Sequence, residues 1–144
     1  MFKPQKLLLF AMVATILTLT MRAHAELSNQ SQTAVDETKR LLNNQKAVDD
    51  YAKKNPNAAQ ANENLKIVVG GDPGDQAAVY KLASDIFENM AQASNGDGAA
   101  MQAELTKAMK NPSAFANSLS PAQQAELKRI GQSVESRSPS SVPH

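Results

Sequence analysis

Residues 72–93 read DPGDQAAVYKLASDIFENMAQA, and the fold is decided there. Asp72 suits a helix cap and Pro73 the first helical position. Asp75 sits third, an arrangement resembling a capping box with Asp in place of Glu. Val79, Leu82, Ala83, Ile86, Phe87 and Met90 then recur at three- and four-residue spacing. Lys81, Asp85, Glu88 and Asn89 fall on the other side. One continuous apolar stripe with a polar back is the pattern of a helix buried along one face. Pro73–Ala93 is therefore expected to be the spine of the core.

Downstream of that spine, Ser94-Asn95-Gly96-Asp97-Gly98 reads as a turn. Ala99–Lys110 reads as a helix with Met101, Leu105, Ala108 and Met109 inward. Asn111-Pro112 opens a short turn carrying Phe115 and Leu119. Ser120-Pro121-Ala122-Gln123 is a complete helix start, with Ser at the cap, Pro first and Gln third. It predicts a last helix to about Val134, with Leu127, Ile130 and Val134 on one face. Residues 136–144 (SRSPSSVPH) are rich in Ser and Pro, so a disordered tail is expected.

Upstream, Gly70-Gly71 ends a segment finishing in Leu65-Lys66-Ile67-Val68-Val69. Its β-branched residues would suit a strand, but a lone strand has no partner, so a helix is expected. Asn55-Pro56 starts that segment. Before it, about Gln30 to Lys54 reads as one polar helix marked by Val35, Leu41, Leu42, Val48 and Tyr51. The stripe is too thin to anchor 25 residues by packing. The face bearing Leu41, Leu42, Val48 and Tyr51 is accordingly the expected partner-binding surface, for another protein or a second copy of this chain. The return of Lys54-Asn55-Pro56 as Lys110-Asn111-Pro112 reflects the fitness of Asn-Pro for starting helices. The whole reads as all-α: a small irregular bundle of four or five helices over residues 26–135.

The first 25 residues carry an address. Lys3 and Lys6 precede an apolar run from Leu7 to Met21, and Ala23-His24-Ala25 offers small residues around a cleavage point. That is the layout of a secretory signal peptide. The run falls short of the roughly 20 residues that cross a bilayer. Arg22, between run and cleavage point, is the feature favouring an uncleaved anchor instead. Export leaves Glu26–His144, periplasmic or secreted, with no membrane span.

Composition narrows the chemistry. The full chain carries 15 basic and 14 acidic residues and no cysteine. Losing Lys3, Lys6 and Arg22 leaves 12 basic residues and a net charge of −2, with no basic cluster for nucleic acid. Leu, Ile, Val and Phe make only 20 of the 119 mature residues, so alanine must do much of the packing. Thiol chemistry is excluded. His24 leaves with the signal and His144 is the last residue, so the interior lacks the commonest general base and metal ligand. Asp36/Glu37 and Asp49/Asp50 are helix neighbours whose side chains point apart, which suits solvent better than acid–base catalysis.

Two loops invite a ligand. Gly70–Asp75 has the glycines of a phosphate cradle, yet Pro73 removes a donor and two aspartates repel an anion. The turn Ala93–Glu104 places Asn95, Asp97, Gly98 and Glu104 at positions 3, 5, 6 and 12 of a calcium loop. Ala93 and Met101 stand where two further oxygens belong. Leu119-Ser120-Pro121-Ala122-Gln123 resembles the L-T-x-x-Q motif of Spy/CpxP-type periplasmic chaperones, which are small exported helical proteins. The likeness spans five residues, has Ser for Thr and lacks a second copy; the capping box accounts for the same residues. The expectation is a non-enzymatic exported protein, with no cofactor or metal, that acts by binding another protein. The alternative is a small-ligand or calcium-binding module built on residues 93–104. Intact-mass measurement of exported material should find Glu26 as the first residue; retention of residues 1–25 would establish the anchor.

Overall fold

The computed structural model describes residues 31–137. Short polar residues divide them into seven helices, with no strand: α1 (Ser31–Leu42), α2 (Gln45–Lys54), α3 (Pro56–Val68), α4 (Pro73–Ala93), α5 (Gly98–Lys110), α6 (Pro112–Ser118) and α7 (Pro121–Arg137). The expected leader, residues 1–25, lies outside the described residues. Among the described residues no helix is long and apolar enough to cross a membrane.

The caps sit where side-chain oxygens can take orphan backbone N–H groups. Asp72 Oδ1 accepts from Asp75 N at 2.8 Å. Asn55 Oδ1 accepts from Asn57 N and Ala58 N, and Asn111 Oδ1 from Ala114 N. Ser120 and Gln123 form a reciprocal box: Gln123 N donates to Ser120 Oγ at 3.3 Å, and Ser120 N donates to Gln123 Oε1 at 3.1 Å. The end of α3 needs the left-handed region, which Gly70 (φ 63°) and Gly71 (φ 74°) supply without a Cβ penalty.

Three expectations are corrected. The single helix over residues 30–54 is two, because Asn44 leaves the helical region (φ −128°, ψ 100°) and caps α2 through Ala47 N. Asparagine offers the backbone a local alternative to the helical ladder, and here it wins. The residues after Asn111 form a short helix rather than a turn; with the split, this raises the count to seven. Finally, α7 runs past Val134 to Arg137, so Ser136 and Arg137 belong to the helix rather than the tail. The reason is a clamp. The Arg137 guanidinium pairs with Asp72 Oδ2 at 3.1 Å and also with Asp75 Oδ2, whose side chain is 6% exposed. Asp75 thus binds Arg137 rather than closing a capping box, and Asp72 N donates to Val69 O. Residues 138–144 lie outside the described residues.

Packing centres on α4. Its buried residues, from Asp75 and Gln76 to Phe87 and Ala91, cover most of its circumference. α7 lies along one side. α1 runs antiparallel along another, joined by Lys39 Nζ–Glu88 Oε1 at 2.6 Å and Asn43 Nδ2 donating to Ser84 Oγ at 2.9 Å. α2 and α3 form a hairpin about Asn55. The core is one contiguous cluster drawn from all seven helices. Leu65, Val79, Ala83, Leu105 and Ile130 are fully sealed. Buried Ala52, Ala61, Ala83, Ala91, Ala108 and Ala116 let the helices approach closely, as the shortage of large aliphatics requires.

A buried polar knot fixes the hairpin on α4. Asn62 Oδ1 accepts from Gln76 Nε2 and from the Tyr80 hydroxyl, each at 2.8 Å, while Asn62 Nδ2 donates to Asp49 Oδ1 at 3.1 Å. Burial, reinforced by Asp49, pushes the Tyr80 hydroxyl well above the ordinary tyrosine range, so it stays a neutral donor. Asn62→Ala should cost about 1–3 kcal/mol, because Gln76 and Tyr80 would be left buried without their acceptor. Ile86→Asp should unfold the domain, since an unpaired charge in the sealed stripe costs several kcal/mol of a total of about 5–15. Circular dichroism melts check both; a parental melt for Ile86→Asp would remove α4 from the core.

Candidate functional site

The expected partner face does not survive as a continuous surface. Leu42 and Val48 are 3% and 8% exposed and belong to the chain's own core. Leu41 and Tyr51 are half-buried; Leu41 packs against that core, and the Tyr51 hydroxyl accepts from Asn55 Nδ2 at 3.3 Å. The break at Asn43-Asn44 is the cause. It redirects the chain, so a stripe too thin for one long helix suffices for two short ones folded inward.

In the turn at 93–104, two of the expected oxygen ligands, Asp97 and Glu104, are engaged within the chain. Asn95 (φ 50°) and Gly96 (φ 75°) close the end of α4, with Gly96 N donating to Ala91 O at 2.8 Å. Asp97 Oδ1 accepts from Ala99 N at 2.9 Å and Ala100 N at 3.1 Å, so it caps α5. Glu104 pairs with Lys107 at 2.6 Å. Gly98 begins α5 and takes no part in the left-handed turn. Among the described residues, no three His, Cys, Asp or Glu side chains are grouped to hold a metal ion. The glycine-rich 70–75 loop is likewise committed, its aspartates to the α4 cap and to Arg137.

What the fold does open is a groove of about 800 Å³ between the C-terminal half of α4, α5, α6 and the start of α7. Ile86, Met90, Met101, Phe115 and Leu119 supply its apolar walls. Asn89, Glu104, Lys107 and Gln123 supply polar groups among them. Methionine is unbranched and polarizable, so Met90 and Met101 can refit to differently shaped apolar groups. Gln123 is held by the Ser120 cap, which makes that wall rigid. Apolar walls with scattered polar groups make the arrangement suited to binding an apolar surface.

The groove escapes a reading of local periodicity because four helices build it. Met101 and Leu119 read as core and do lie buried in it. The surplus signal was Phe115, a large aromatic on a seven-residue helix that remains only partly buried. No known family model, characterised protein or solved structure matches the chain. Of the five residues resembling the chaperone motif, Ser120 and Gln123 form the α7 cap, and they and Leu119 line the groove.

The burial of α1 and α2 carries a direct consequence. Leu42→Glu with Val48→Glu should destabilise the whole fold by several kcal/mol rather than merely strip a surface. A thermal melt of the double variant that overlays the parent's would restore that face as a free surface.

Proposed function

We propose that this chain is a non-catalytic exported protein, working in the cell envelope or outside the cell, that binds another protein. It does so by receiving an apolar segment of that protein in the groove between α4, α5, α6 and α7. An assembly factor, a chaperone, an inhibitor and a secretion accessory all share that act. The single observation that carries the reading is the groove itself: an open apolar trough with two methionines, an aromatic side chain and interspersed polar groups. Concave sites walled mainly by apolar side chains with a few placed polar groups are the usual form of a binding site. The mature chain's lack of cysteine and of interior histidine supports a role in binding over catalysis.

A second reading has its own observation. The groove's volume lies within the roughly 300–1,000 Å³ of small-molecule pockets, and the 93–104 turn forms one edge of it. A small apolar ligand is therefore the alternative occupant. One pair of experiments separates the two. Ala103 lines the groove yet is exposed, so Ala103→Arg should fill the trough at little cost to folding. Capture of partners from the native envelope fraction should fall at least tenfold with Ala103→Arg, the melting temperature staying within a few degrees of the parent's. Gln60→Arg, on the exposed side of α3, should capture normally. Undiminished capture by Ala103→Arg would remove the groove as the protein-binding site; native mass spectrometry showing a small molecule carried by the parent alone would favour the alternative.

A further inference from the structure

We propose that Asn95-Gly96 is a modification site, converted spontaneously to aspartate and isoaspartate, which the closed end of α4 holds back and the opening of that end releases. Of the chain's asparagines, Asn95 alone precedes a glycine. A glycine there leaves the following backbone nitrogen unshielded, because no Cβ crowds its approach to the asparagine side chain. Asn95 is also exposed, so water reaches the amide and its products. The reaction needs no enzyme. Gly96 N gives up its proton and attacks Asn95 Cγ. The new N–Cγ bond closes a cyclic imide, the Cγ–Nδ2 bond breaks, and the nitrogen leaves as ammonia with a proton returned from solvent. Water then opens the ring. Breaking the N–Cγ bond yields aspartate. Breaking the bond from Gly96 N to the Asn95 backbone carbonyl carbon yields isoaspartate, with the chain running through Cβ.

The end of α4 controls the first step. Gly96 N donates to Ala91 O at 2.8 Å and Asn95 N to Gln92 O at 3.3 Å, with Asn95 left-handed at φ 50°. These are the two bonds of a Schellman closure. While they stand, the proton that must leave Gly96 N is held in a hydrogen bond, and the nucleophile is withheld. The end of α3 is closed in the same way, by Gly71 N to Lys66 O at 2.7 Å and Gly70 N to Ile67 O at 3.2 Å, with Gly70 in the left-handed place. The closure therefore does not require asparagine; at the end of α4 a reactive amide stands where glycine would serve. Conversion reshapes the turn between α4 and α5. Aspartate adds a negative charge close to Asp97, which caps α5, and isoaspartate adds a backbone atom between the helices. Ala93 and Ser94, just before it, line the groove, so the modification alters that edge. Its bearing on binding rests on the groove being the binding site; its occurrence does not.

Hydrogen exchange at Gly96 needs the same event, loss of that proton from an opened amide. Mass spectrometry of the exported chain follows the amide-to-acid mass gain at Asn95, in the folded state and unfolded in guanidinium chloride. The folded rate should lie about tenfold or more below the unfolded rate, and the slowing should match the protection of the Gly96 amide within about threefold. Low guanidinium chloride should raise the folded rate with a slope shallower than that of global unfolding, as local opening requires. Asn95→Gly should melt like the parent and show no conversion at the turn. Conversion as fast in the folded chain as in the unfolded one, or a folded rate that rises only in step with global unfolding, would overturn the gate. No conversion at Asn95 in the unfolded chain would overturn the site. None of these outcomes bears on Ala103→Arg capture, so groove and modification site fail separately.

Discussion

The structure depends on α4 being covered on most of its sides. A chain with so few large aliphatics cannot build separate layers, each with its own apolar face. It concentrates Val79, Leu82, Ile86 and Phe87 on one helix and brings the other elements to it. The alanines of the surrounding helices matter for the same reason. A small side chain contributes little burial of its own but lets two backbones approach, and close approach is what seals Leu65, Leu105 and Ile130 from water.

Burial on so many sides also sets where polarity must go. Helix α4 carries Gln76 and Tyr80 into the interior, and the interior answers with Asn62 and, beyond it, Asp49. Asp75 enters too and is met by Arg137 from the far end of the last helix. Such groups cost stability when unpaired, so each pairing selects one register over its neighbours. The hairpin of α2 and α3 cannot slide along α4 without orphaning two donors. The α5–α6 pair, with the end of α4 and the start of α7, borders the groove.

The proposed role follows from this division. A binding surface in a small lean protein must be left incompletely covered, yet the molecule must stay folded while it is. Firm polar ties around α1–α4 and the end of α7 hold the rest of the fold, while the groove opens beside α5 and α6. The rigid Ser120–Gln123 cap gives the groove one fixed wall. The methionines give it walls that refit.

The all-helical class, the central helix and the caps at Asn55, Asp72 and Ser120 were legible in the residues. They rest on local causes: the 3.6-residue period, the reach of a side-chain oxygen to a nearby N–H, and proline's fixed φ. The helical state of Leu65–Val68 was legible as well, because a strand there has nothing to pair with. Tertiary structure decided what depends on residues far apart in sequence. Arg137 is helical because two aspartates more than sixty positions earlier hold it, and Asn62 is buried because Gln76 and Tyr80 come to meet it. Leu42 and Val48 pass from a presumed surface into the core once Asn44 bends the chain between them. The groove belongs to the same class. Its lining comes from four helices that approach one another only when the core has formed, so no window of sequence contains it.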